Sequence, residues 1–66
     1  MQVKEVEYPV SGIRKFYVRF NGKDYTCYRG AFRPTTVFTG LATKNSAAHR
    51  NITGTDLGMK ILRACY

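Results

Sequence analysis

The dipeptide Asn21-Gly22 lies between two runs of alternating character, Phe16-Tyr17-Val18-Arg19-Phe20 and Lys23-Asp24-Tyr25-Thr26-Cys27-Tyr28. Both residues tolerate positive φ, which a type I′ turn demands at its two central positions and which matches the twist of the strands it joins. A tight hairpin is therefore expected here. A two-residue loop also fixes the pairing. Phe20 faces Lys23, Arg19 faces Asp24, Val18 faces Tyr25, Tyr17 faces Thr26 and Phe16 faces Cys27. Phe16, Val18, Phe20, Tyr25 and Cys27 then share the core side, while Lys15, Tyr17, Arg19, Asp24, Thr26 and Tyr28 share the outer side.

Upstream, Val3 to Pro9 alternates and leads through Val10-Ser11-Gly12 into a strand opening at Ile13. Two registers compete. A two-residue Ser11-Gly12 loop sets Glu7 opposite Phe16 and Glu5 opposite Val18 on the core face, where unpaired carboxylates are costly. A three-residue loop with Gly12 in the left-handed region sets Val6 opposite Phe16 and Glu7 opposite Lys15, burying the valine and pairing the charges. The second register is the expectation. It gives a three-stranded antiparallel meander in which Glu5, Glu7 and Asp24 sit beside Lys15, Tyr17 and Arg19 on the outer face.

Downstream, Gly30 and Pro34 end or bend the third strand near Arg29, and the β-branched stretch Thr35 to Thr39 suits a short fourth strand. Gly40 to Thr55 is rich in Gly, Thr, Ser and Asn and reads as loop, with room for one helical turn over Ser46 to Arg50. Thr53, followed three residues later by Asp56, resembles a capping box, and Lys60 and Arg63 lie where a helix dipole favours cations. Leu57, Ile61, Ala64 and Cys65 share one face at helical spacing. Gly58 weakens that helix, and a last strand over Lys60 to Tyr66 is the competing expectation. The preferred fold class is α+β: a three- to four-stranded antiparallel meander sheet with one face covered by a short C-terminal helix, in a single small basic domain over residues 1–66.

At 66 residues the core is small, so pairing into a homodimer is one way for such a chain to gain stability. Cys27 and Cys65 form no C-x-x-C and have no second His nearby, which argues against a zinc site or a disulfide scaffold. One bridge between them is open. Two reduced thiols that pack as small apolar side chains are the preferred expectation. Met1 to Val10 lacks the apolar core of a secretion signal, and no apolar run approaches a membrane span. The expectation is a cytoplasmic protein with no membrane association.

Charge supplies the functional signal. Eleven Lys and Arg against four Asp and Glu leave a formal charge of +7. Residues 1–24 hold five bases and three acids, whereas residues 25–66 hold six bases and one acid. Between Tyr25 and Thr55 there is no carboxylate, yet Arg29, Arg33, Lys44 and Arg50 fall there among many Thr, Ser and Asn residues. Unneutralised cations attract phosphate, and short hydroxyl and amide side chains give directional contacts. On the outer face of the hairpin, Lys15, Tyr17, Arg19 and Tyr28 combine basic and aromatic groups that can stack on bases or track a backbone. The expected function is a small non-enzymatic nucleic-acid-binding accessory or regulatory protein, DNA ahead of RNA, using these eight residues. That requires the cations to share a surface. A small inhibitor or adaptor docking on an acidic partner protein, or an ordinary salt-bridged solvent face, answers to the same composition.

The Phe16 to Lys23 hairpin is similar to the hairpins of the three-stranded arm-binding domains of phage integrases, a resemblance that implies a sheet laid in a DNA groove. Arg33 to Thr43 lacks the amphipathic helix that follows directly in those domains.

Catalytic constellations are missing from the sequence. His49 has no acidic neighbour, Cys27 is assigned to the core, and neither Ser11 nor Ser46 lies in a nucleophile elbow. No phosphate loop or dinucleotide fingerprint occurs, so no cofactor is expected. Glu5 and Glu7 on one strand face beside Lys15 read as surface ion pairs in preference to metal ligands.

Overall fold

The structure, a computed structural model, describes residues 1–30, 35–47 and 49–65. Asn21 and Gly22 adopt positive φ, 51° and 73°, and turn β2 (Ile13–Phe20) back onto β3 (Lys23–Gly30). Their register is the expected one from Phe20 opposite Lys23 to Phe16 opposite Cys27, and it continues to Ile13 opposite Gly30. β1 (Gln2–Val6) pairs with β2, and β4 (Thr36–Thr39) pairs with β3, all antiparallel, in the order β1-β2-β3-β4. One helix, α1 (Asp56–Ala64), packs on this meander to give an α+β fold.

Phe16, Val18, Tyr25, Cys27 and Val37 from the sheet meet Ile52, Ile61 and Cys65 in the core, with Phe20, Leu57 and Leu62 packed against them. Of the expected helical face, Ile61 and Cys65 are buried and Leu57 is half-buried, but Ala64 is exposed and Leu62 is half-buried instead. Gly58 explains the rotation. It is buried, and a Cβ there would lie 1.8 Å from the carbonyl oxygen of Ile52, so the helix rests directly on the backbone of the preceding loop. What looks like a weak helical residue is the one that lets the helix approach.

Three local expectations are corrected. The helix is capped by Thr55 instead of Thr53: Thr55 Oγ1 accepts from the Gly58 N–H at 3.0 Å and donates to the Ile52 carbonyl at 2.7 Å. Thr53 Oγ1 accepts from the Val37 N–H and donates to Asn51 Oδ1, tying the loop to β4. No helical turn forms around residues 46–50 among those described. The edge of β4 has backbone groups to satisfy, and residues 49–52 run extended along it, with Thr39 N–H donating to Arg50 O and Ile52 N–H to Val37 O.

The third correction concerns β1. Glu5 faces Phe16 and Val6 faces Lys15, one residue away from the expected register, through a connection in which Gly12 does adopt a φ of 80°. A carboxylate on the core side is costly only where that side is buried. At the β1 edge the helix-bearing face is open: Val3 remains 40% exposed, and Glu5 meets solvent and the guanidinium of Arg14, with N to O distances of 2.6 and 2.8 Å. Arg14 in turn lies 5.7 Å from the centroid of the Phe16 ring.

Candidate nucleic-acid interface

On the face opposite α1, the loop that follows β4 folds back over the strands. Thr26, fully buried, donates from Oγ1 to the Gly40 carbonyl at 2.8 Å and accepts from the Ala42 N–H at 3.0 Å. The Ala42 carbonyl accepts from Lys15 Nζ at 2.6 Å and from the Tyr17 hydroxyl at 2.8 Å. Lys15 Nζ lies 5.3, 5.5 and 5.8 Å from the ring centroids of Tyr17, Tyr8 and Tyr28, within cation–π range of all three. Tyr28 also packs edge-on to Phe38, and burial raises its phenol above the ordinary tyrosine range, with the neighbouring Tyr8 and Tyr17 adding to the effect. The expected contact residues Lys15, Tyr17 and Tyr28 are thus brought together, but the polar heads of Lys15 and Tyr17 hold the protein's own loop, and the Tyr28 ring packs against Lys15.

Other cations gather at the hairpin-turn end. A shallow depression of about 170 Å³ on the outer face is lined by Gln2, Lys4, Tyr17, Arg19, Asp24 and Leu41, among others. A larger open groove of about 690 Å³ is lined by Lys23, Asp24, Thr39, Gly40, Arg50 and Thr55, among others. Asp24 lines both, and its carbonyl accepts from the Gly40 N–H at 2.8 Å. Lys60 extends this region, with Nζ 5.1 Å from the centroid of Phe20, the cross-strand partner of Lys23. Lys4 and Arg19 line the first depression and Lys23 and Arg50 the second, so the four mark a band of cations towards the hairpin-turn end. Its single lining carboxylate, Asp24, lies 3.9 Å from Arg19 in a loose exposed pair.

The expected cations do not all share this surface. Arg29 lies across from Arg14 at the other end of the hairpin, close enough to Glu5 to help lower its pKa. The larger cause of that lowering is the Arg14 hydrogen bond. Lys44 is exposed in a turn closed by reciprocal backbone hydrogen bonds between Thr43 and Ser46. Arg33 lies outside the described residues. Glu5, expected beside Lys15 and Tyr17, is on the opposite face because of the register of β1. Lys4 and Lys23 were not singled out from the sequence. The pairing of Lys23 with Phe20 was readable there, but its proximity to Arg50 depends on the extended path of residues 49–52.

The chain matches no family model, no curated protein and no solved structure. The phage-integrase resemblance gains nothing from these comparisons, and the fourth strand and long loop before α1 depart from a three-stranded sheet followed directly by a helix. Among the described residues no helix is long and apolar enough to cross a membrane.

Proposed function

We propose that this domain is a non-enzymatic nucleic-acid-binding protein that uses the hairpin-turn end of its sheet to contact phosphates. One observation carries the proposal: Lys4, Arg19, Lys23 and Arg50 line two depressions that share Asp24, the single carboxylate in their described lining. Arg19 is only loosely paired with Asp24, and cations in excess of carboxylates bind polyanions by releasing condensed counterions. Thr39, Asn51 and Thr55 line the groove as well and offer short polar groups for directional contacts. The clamp around Lys15 plays a supporting part, because it fixes the loop whose Gly40 and Leu41 form part of the walls of the band. Duplex DNA is the first ligand of choice, since it presents more phosphate along its axis than a single strand does.

A titration of fluorescently labelled duplex DNA, single-stranded DNA and RNA at low salt tests the proposal. Binding that weakens steeply with added salt supports it, and no binding to any of the three overturns it. A second reading, docking on an acidic protein, has one observation in its favour: among the described residues β1 ends the strand order, and an edge strand is a place for strand addition. Nuclease-resistant capture of one stoichiometric acidic protein, together with no nucleic-acid affinity, favours that reading.

A further inference from the structure

We infer that His49, the only histidine of the chain, is a further phosphate-contacting residue of the cation band, and that its protonation couples polyanion affinity to pH. The inference rests on the nucleic-acid proposal and adds one residue and one proton to it.

His49 is positioned by its backbone and by what its ring covers. Its N–H donates to the Thr39 carbonyl at 2.9 Å, and the carbonyl of the next residue, Arg50, accepts from the Thr39 N–H at 2.8 Å, so both residues are aligned along the end of β4. The ring rests on Gly40. A Cβ built there would lie 2.7 Å from Cδ2 and 3.3 Å from Nε2 of the imidazole. Gly40 also has a φ of 81°, so the backbone sign and the ring beside it both favour glycine at this position. Gly40 lines the larger depression together with Arg50, and Leu41 lines the smaller one together with Lys4 and Arg19. The imidazole therefore lies on the stretch of chain that walls both depressions, and His49 is exposed there.

Imidazole is the side chain whose ordinary titration falls near neutral pH, and when protonated it carries a charge and both ring nitrogens donate. The ionisable groups on the segments that meet at Gly40 are Asp24 and Lys23 of β3, Arg19 and Tyr17 of β2, Lys44 in the following turn and Arg50 beside His49 in the chain. The one acid among them, Asp24, stands 3.9 Å from Arg19, and Tyr17 donates its hydroxyl to the Ala42 carbonyl. The ion pairs formed among the described residues are Arg14 with Glu5 and Arg19 with Asp24, and neither includes His49. A proton on His49 thus adds a cation to a surface already in excess of cations, and a phosphate brought to that surface stabilises it. Linkage makes the effect reciprocal: the polyanion raises the proton affinity of the imidazole, and the proton raises affinity for the polyanion by the same factor. The gain is present at low pH and is lost as pH rises through the titration of the bound imidazole.

The test titrates labelled duplex DNA with the parent chain and with His49→Gln, at about pH 5.5 and about pH 7.5, over a series of salt concentrations. For the parent, affinity is expected to be roughly three- to tenfold higher at the lower pH, with a slope of log affinity against log salt steeper by about 0.9. His49→Gln is expected to bind at both pH values as the parent binds at the higher one. Inorganic tripolyphosphate is the second probe and needs no variant: followed by NMR at the imidazole Cε1–H, it is expected to move the titration midpoint of His49 upward. A parent that binds DNA equally at the two pH values, a pH response kept in His49→Gln, or a midpoint that tripolyphosphate leaves in place overturns this inference and leaves the nucleic-acid proposal standing. A parent that binds DNA at neither pH overturns both.

Discussion

The carboxylate of Glu5 receives both hydrogen bonds of a bidentate pair from the guanidinium of Arg14, across β1 and β2 on the helix-bearing side of the sheet. The Arg14 hydrogen bond, more than its charge or that of Arg29, holds the Glu5 pKa below the ordinary 4.5, against the opposing effect of desolvation. A carboxylate with a lowered folded pKa contributes stability that is present above its unfolded value and lost as pH falls through the folded one. Both partners are exposed, so the contribution is small and salt-sensitive. Thermal melts of the protein and its Glu5→Gln variant are expected to differ near neutral pH and to converge as the pH drops below the ordinary carboxylate range. A gap that stays constant from neutral to strongly acidic pH contradicts this.

Thr26 is the buried anchor of the loop over the outer face, and its hydroxyl satisfies both the Gly40 carbonyl and the Ala42 N–H. Thr26→Val keeps the shape and removes the hydroxyl, leaving two backbone groups without their partner. The expected loss is about 1–3 kcal/mol in chemical denaturation. It is accompanied by faster amide exchange at Ala42, while exchange in the β2/β3 ladder opposite Phe16 changes only through global stability. An Ala42 amide that exchanges no faster than in the parent rules out the clamp.

Gly58→Ala separates helix propensity from packing. In an exposed helix the change stabilises by about 1 kcal/mol. Here the added methyl meets the Ile52 carbonyl at 1.8 Å and the Thr53 Cα at 3.2 Å, both backbone atoms that cannot rotate away. The variant is expected to be destabilised by about 1–3 kcal/mol in urea unfolding, as overpacking generally is. A variant more stable than its parent shows that the helix does not sit so close.

These contrasts mark how far the sequence can be read. The β2/β3 register was legible because Asn21-Gly22 restricts both loop length and backbone sign, so that Phe16 opposite Cys27 follows by counting. The helix was legible from the spacing of Leu57, Ile61 and Cys65, although its cap was placed two residues early because Thr53 and Thr55 both precede Asp56. The β1 register was not legible, because the cost of placing Glu5 beside Phe16 depends on how far the helix covers the sheet. The candidate interface was readable only in part. Charge counting found Arg50 and the outer face of the hairpin found Arg19, but Lys15 and Tyr17 bond a backbone carbonyl of a distant loop, with the Tyr28 ring beside Lys15, and no side-chain pattern announces that use.

The central claim is that phosphate contact belongs to the hairpin-turn end and not to positive charge at large. It is tested most directly by titrating a labelled DNA duplex over a series of salt concentrations with the parent protein and with Arg19→Ala, Arg50→Ala and Arg63→Ala. Arg63, exposed in the last turn of α1 and outside the band, is the charge-matched control. The expected result is that Arg19→Ala and Arg50→Ala each weaken binding and each reduce the slope of log affinity against log salt by about 0.9, while Arg63→Ala leaves the slope unchanged. Equal losses in all three variants, or no loss in any, contradicts the claim.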